Sequence, residues 1–291
     1  MIEKDHLYII GNGFDLYHGL STSFDDFKDY VKRNNQRLYD IIDRYFTIKN
    51  FWHCFEENLA KIDLDVLRQH GEVYLEDYGA NNWRDSFHHD YQFEIGRIVD
   101  AIVDDLYICF VNWLSQIDVY NAKSKNILLL KDAIYLTFNY TQTLETVYDI
   151  PYNNILHIHG RYNKKLQEKM IYGHGGVNFR IEKDDDIRIT EGEEIISGYY
   201  TKTTKPIKMI IHKYRKFFYK RVSYVKHVTI IGHSMSKIDY PYFKRLVNSF
   251  KHKVDYVFYF HSTSDIYNCI YTFNCRLKVP LKRLTFLPYP D

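Results

Sequence analysis

Leu7-Tyr8-Ile9-Ile10-Gly11-Asn12-Gly13-Phe14-Asp15 is the stretch on which the fold class turns. Four apolar residues of strand-forming type run into a tight Gly-Asn-Gly turn, the pattern of a buried strand ending in a loop. Beyond Phe14 to Leu20 comes Ser21-Thr22-Ser23. Ser23 ahead of Phe24-Asp25-Asp26-Phe27 reads as a helix N-cap with acids in the first turn. Strand, turn and helix in that order open many α/β domains.

Working outward, the same signal returns at Ala133–Phe138, Ile155–Ile158, Val228–Ile231 and Val254–Phe260, with Leu284–Leu287 as a last edge strand. Helical stretches are expected at Lys205–Val222, at Tyr240–Phe250 with Pro241 in its first turn, and from a cap at Ser262 or Ser264 to about Cys275. Between the first and second strands, residues 24–131 read as mainly helical. Trp52, Phe55, Leu59 and Ile62, and then Ile95, Ile98, Val99, Ile102, Val103 and Leu106, fall at helical spacing. That block is too long for one crossover helix and is expected to be a helical insertion or subdomain, with a loop at Gly79–Asp90. Residues 161–204, with Gly173, Gly175, Gly176, the acidic run Glu182–Asp186 and Gly192, read as a loop-rich insertion. Alternating strands and helices predict a single α/β domain over 1–291, its sheet mostly parallel and covered by helices on both faces.

Composition narrows the class. The 291 residues are 45% hydrophobic and 26% charged with a formal net charge of +2, which excludes a disordered or low-complexity chain. Balanced charge predicts no specific nucleic-acid partner, since such proteins usually carry a basic stripe. Cys54, Cys109, Cys269 and Cys275 form no C-x-x-C pair, so a zinc ribbon is not expected; reduced thiols in a cytoplasmic protein are. The N-terminal MIEKDHLYIIGNG lacks the form of a signal peptide. The longest apolar stretch, Leu106–Leu114, falls far short of the roughly 20 residues of a membrane span.

In an open parallel sheet, ligands bind beyond the carboxyl ends of the strands. Four strands end in polar or glycine clusters: Gly11–Asp15, Asn139-Tyr140-Thr141, His157–Gly160 and Gly232–Ser236. The first permits close backbone approach to an anion at a helix N-terminus, although the third glycine of a dinucleotide fingerprint is missing. Asp15 would repel phosphate there; it suits a ribose hydroxyl, a metal or a helix amide. Asn139 is either a turn former or a ligand contact. His157 and His159 would share one face of a strand. They are core histidines, ligand contacts or two members of a metal site whose third ligand is not evident. Gly232-His233-Ser234-Met235-Ser236 nearly matches the nucleophile elbow G-x-S-x-G. A serine hydrolase built on Ser234 would draw on His261, Asp255 or Asp265, and on His174-Gly175-Gly176 for its oxyanion loop.

Taken together, IIGNGFDLYHGLSTSFDDF (9–27), TFNYTQTLE (137–145), HIHG (157–160) and IIGHSMSKIDYPYF (230–243) resemble the abortive-infection AbiH family of bacterial antiphage proteins. These motifs are in turn distantly similar to the sirtuins and sirtuin-like NADases, although the zinc-binding cysteine pairs of the deacylases are absent. The resemblance implies a Rossmann-like, sirtuin-like sheet and an NAD glycohydrolase that depletes a shared metabolite during infection. NAD would be the substrate and no zinc would be needed. Asn139 and His159 are the implied catalytic residues. Gly11, Asn12, Gly13, Phe14, Asp15, His157, Gly232, His233, Ser234 and Asp239 are the implied nucleotide contacts, with helix capping the competing role for Asp239. A phage-derived trigger or partner protein and a homo-oligomer are further implied partners, with the helical block as lid, sensor or oligomer surface. The alternatives are a nucleotide-binding sensor without catalysis, and a hydrolase or nuclease acting on another substrate.

Overall fold

The computed structural model describes residues 4–81, 83–165 and 168–290. Six strands form one sheet: β1 (His6–Ile10), β2 (Ile134–Thr137), β3 (Ile155–His157), β4 (His227–Ile231), β5 (Asp255–Phe260) and β6 (Leu284–Pro288). Their order is β3-β2-β1-β4-β5-β6 and every neighbouring pair is parallel. The mostly parallel α/β sheet read from the sequence is thus observed, and it is wholly parallel.

Continuous apolar runs build this sheet because both of its faces are covered. Leu7 to Ile10 are all at most 3% exposed. Their side chains alternate between two cores. Leu7 and Ile9 join Leu136, Ile230, Phe258, Tyr242 and Phe243 on one face, while Tyr8 and Ile10 join Phe14, Tyr135, Leu144 and Ile231 on the other. The first core is closed by the helices Ile207–Lys213, Tyr240–Val247 and Thr263–Ile270, the second by Asn12–Tyr17 and Thr143–Tyr148.

The strand order is that of doubly wound sheets, and it reverses direction between β1 and β4. Register places Ile10 level with Thr137 and Ile231, and Thr137 level with His157. The four polar loops therefore leave from one carboxyl edge, around the switch point.

The chain divides into two compact units. The sheet unit holds the segments ending at Ser23, Leu114–Ile171 and from Pro206 onward; the helical unit holds Phe24–Trp113 and Tyr172–Lys205. The helical block ends earlier than expected, with the helix Leu106–Leu114, and 115–133 contain no helix or strand. Residues 161–204 also differ from the loop-rich reading, because Ile187–Thr203 is a helix of 17 residues. Asp186 caps it, its carboxylate accepting from the Arg188 N–H at 2.9 Å. Gly192, read as a loop signal, is a packing residue: a Cβ there would lie 2.3 Å from the Tyr91 ring. Among the described residues no helix is long and apolar enough to cross a membrane.

Candidate functional site

The loops after β1 and β4 are locked together at the switch point. The Gly11 N–H donates to the Ile231 carbonyl at 2.9 Å, the Gly13 N–H to the Gly232 carbonyl at 2.8 Å and the Phe14 N–H to the Gly11 carbonyl at 3.0 Å. No side chain fits between these backbones. A Cβ on Gly232, whose φ is +69°, would stand 2.2 Å from the Phe14 nitrogen, and one on Gly11 would stand 2.6 Å from the Gly232 carbonyl. The glycines thus serve an internal backbone contact, and these three amides are committed to protein carbonyls. Phe14 is fully buried against His18 and Tyr148 as a core residue. Asn12 donates its side-chain amide to the Thr22 carbonyl at 2.7 Å.

Asp15 is fully buried beneath this loop. Its two carboxylate oxygens accept from the hydroxyls of Thr141 at 2.5 Å and Thr143 at 2.7 Å. Burial pushes its pKa up to about 6, opposed by those two hydroxyls, by the nearby Asn139 carboxamide and by the charge of His157. Asn139 itself is 5% exposed. Its main chain is held on both sides: its N–H donates to Thr137 Oγ1 at 3.1 Å, and its carbonyl lies 3.2 Å from His157 Nδ1. Its side chain leans on the Asp15 carboxylate, whose charged form it favours, without closing a bond at full hydrogen-bonding geometry. His157 Nε2 lies 2.9 Å from Glu145 Oε1, the oxygen that also accepts from Arg161 Nη1 at 3.3 Å. Arg161 reaches Gln142 at 3.1 Å and stacks on Tyr152.

His159 belongs to different surroundings, which corrects the shared-face expectation. β3 ends at His157, and the chain turns through Ile158, His159 and Gly160. The His159 ring, 3% exposed, meets Phe138 edge-to-face and places Nε2 3.3 Å from the Tyr242 hydroxyl. Phe138 also meets the His233 ring, at 4.4 Å between centroids. His233 Nδ1 accepts from the Met235 N–H at 2.9 Å, and its Nε2 faces Asp239 Oδ2 at 3.6 Å. Asp239 stands at the N-terminal end of the helix Tyr240–Val247 but makes no side-chain cap, so the capping role is not taken up. Ser234 is exposed.

The serine-hydrolase alternative finds no geometry. The left-handed non-glycine residue after β4 is Met235, with φ +58°, whereas a strained elbow would place Ser234 there. Asp255 begins β5, at the opposite edge of the sheet, and pairs with Arg283. Asp265 is committed to a capping box with Ser262. Nor, among the described residues, do three His, Cys, Asp or Glu side chains converge as a metal would require.

Residues 7–260 match the family described as Bacteriophage abortive infection AbiH. The chain belongs to this family. No curated protein and no solved structure matches it. In this AbiH protein the sheet edge therefore brings together Asp15, Asn139 and His157 as one cluster, and His159, His233 and Asp239 as another around Phe138. Sequence reasoning missed Thr143, Glu145, Arg161 and Tyr242. The alternation Thr141-x-Thr143-x-Glu145 after a strand end was the available signal. Its meaning depends on a buried acid more than a hundred residues earlier in the chain (Asp15, 126 positions from Thr141).

Proposed function

We propose that this AbiH protein acts in abortive infection as a nucleotide glycohydrolase, cleaving the nicotinamide–ribose bond of NAD at the carboxyl edge of its sheet. The observation that carries this reading is the Asn139 carboxamide, buried beside the Asp15 carboxylate, short of a bond at full hydrogen-bonding geometry, and fixed by its own backbone. A buried amide that closes no full hydrogen bond costs up to about 1–3 kcal/mol, part of which a ligand hydroxyl or a held water would return. The position beside the switch point of a doubly wound sheet is where nucleotides bind.

Cleavage builds positive charge at the anomeric carbon, and nicotinamide leaves as a neutral molecule, so no strong acid is required. The need is for a held water, a fixed ribose and nearby negative charge. Asn139 orients the ribose hydroxyl or the water. Asp15 supplies the negative charge behind Asn139, ionised above its pKa of about 6. His159, paired with the Tyr242 hydroxyl, accepts the proton that water loses. Gly232, His233, Ser234 and Asp239 border the nucleotide. The committed amides of Gly11 and Gly13 are not its pyrophosphate cradle, which places the weight of recognition on the ribose.

The test is the NAD content of phage-infected cells carrying the wild type, Asn139→Ala or His159→Ala, together with nicotinamide release by the purified proteins. Depletion and release by the wild type alone support the proposal. Infection aborted by the wild type with NAD undiminished refutes it. NAD bound but never cleaved would favour the sensor instead.

A further inference from the structure

His157 is expected from the sequence to touch the nucleotide, yet both of its ring nitrogens are taken by the protein. Nδ1 lies 3.2 Å from the main-chain carbonyl of Asn139, and Nε2 lies 2.9 Å from Glu145 Oε1. A carbonyl oxygen only accepts, so Nδ1 donates. An ionised carboxylate only accepts, so Nε2 donates as well. A ring with two donors is an imidazolium. The Arg161 guanidinium, 8% exposed, rests on the same Glu145 oxygen at 3.3 Å, while Glu168 stands further off at 3.9 Å. A neutral Glu145 would take from this buried cation its nearest counter-charge, at a cost of the kind paid by broken buried pairs.

We infer that His157 is a positioning residue: a doubly protonated ring, braced by Glu145 and Arg161, that clamps the Asn139 carbonyl and so aims the Asn139 carboxamide at the ligand. The clamp closes the one main-chain polar group of Asn139 that Thr137 does not hold. Rigid support of this kind is what keeps an acting side chain in productive geometry. This inference deepens the glycohydrolase reading and rests on it for the role of Asn139, but the protonation of the ring does not.

Two measurements test it. In protein labelled with 15N-histidine, with His157 assigned by the signals missing from His157→Asn, both ring nitrogens should carry hydrogen at pH 7. One bare nitrogen overturns the doubly protonated ring, and a bare Nδ1 removes the clamp itself, whatever the protein catalyses. The second compares His157→Asn, whose amide stands where Nδ1 donates, with His157→Gln, whose amide reaches only toward Glu145. Nicotinamide release should fall about tenfold further in the Gln variant, the worth of one hydrogen bond. Equal losses overturn the positioning role. If the wild type releases no nicotinamide at all, the glycohydrolase reading fails while the nitrogen spectrum still decides the clamp.

Discussion

Asp15 offers the sharpest test of how the site is built, because its charge works against the fold. Its carboxyl pKa rises from the ordinary 3.8 to about 6 on burial. A raised acid means that the native state holds its proton where the unfolded chain has lost it. The native state then binds more protons between those two values, so stability falls as pH rises through that window. The difference corresponds to about 3 kcal/mol of destabilisation once pH exceeds 7, of which about half has accrued at pH 5. Asp15→Asn removes the charge and keeps an acceptor for one of the two threonine hydroxyls, at a loss of about 1 kcal/mol for the other bond. Relative to the wild type, the variant should therefore gain about 1.5 kcal/mol between pH 5 and pH 8, while nicotinamide release is lost.

The assay must look at the right half of the molecule. All three tryptophans, Trp52, Trp83 and Trp113, lie in the helical unit, so their fluorescence does not report on the sheet. Amide hydrogen exchange in β1 and β2 does. Comparison of the two proteins at each pH cancels every other titrating group. A difference that stays constant from pH 5 to pH 8, or a wild type that gains on the variant as pH rises, would sink the argument.

Asn139→Ala should lower nicotinamide release by about 10²- to 10³-fold. Exchange in β2 should change little, because the carboxamide closes no bond at full hydrogen-bonding geometry. Gly232→Ala must place a Cβ 2.2 Å from the Phe14 nitrogen at φ +69°. A loss of about 3 kcal/mol or more, or insoluble protein, is expected, and a normal exchange profile would contradict the backbone contact. In the helical unit, Lys205 is 3% exposed and its Nζ lies 2.8 Å from Glu56 Oε2. Lys205→Met should cost about 3–5 kcal/mol by tryptophan fluorescence, and adding Glu56→Met should recover most of it.

The sheet was legible because apolar runs such as Leu7–Ile10 and Val228–Ile231 are long, rich in β-branched residues and bounded by glycine or polar turns. A parallel sheet needs such runs, and little else in this composition produces them. The helix Ile187–Thr203 was hidden for the opposite reason. It carries Gly192 and Gly198, follows an acidic run, and buries Arg188 and Glu193 along with its apolar residues. With charged residues facing inward, amphipathic periodicity fades. Those buried charges are satisfied by partners distant in sequence, as Glu193 is by Arg68 at 2.7 Å.

The candidate site shows the same division between type and use. Its residue types were visible at four strand ends, and the parallel register brings those ends to one edge. The use of each residue depends on where its polar atoms are already committed. Gly11 and Gly13 look like an anion cradle in sequence, yet their amides bind Ile231 and Gly232. His157 looks like a ligand contact, yet both of its nitrogens are engaged. Asn139 looks like a turn former, yet its carboxamide, set against Asp15, closes no bond at full hydrogen-bonding geometry. A ligand can claim only what the fold has left unpaired, because displacing an existing internal bond returns little net energy. Spare valence at this edge therefore lies on the Asn139 carboxamide and on Glu145 Oε2, with Asp15 behind Asn139 and His157 holding its backbone. The glycine loop is the pin that joins the ends of β1 and β4.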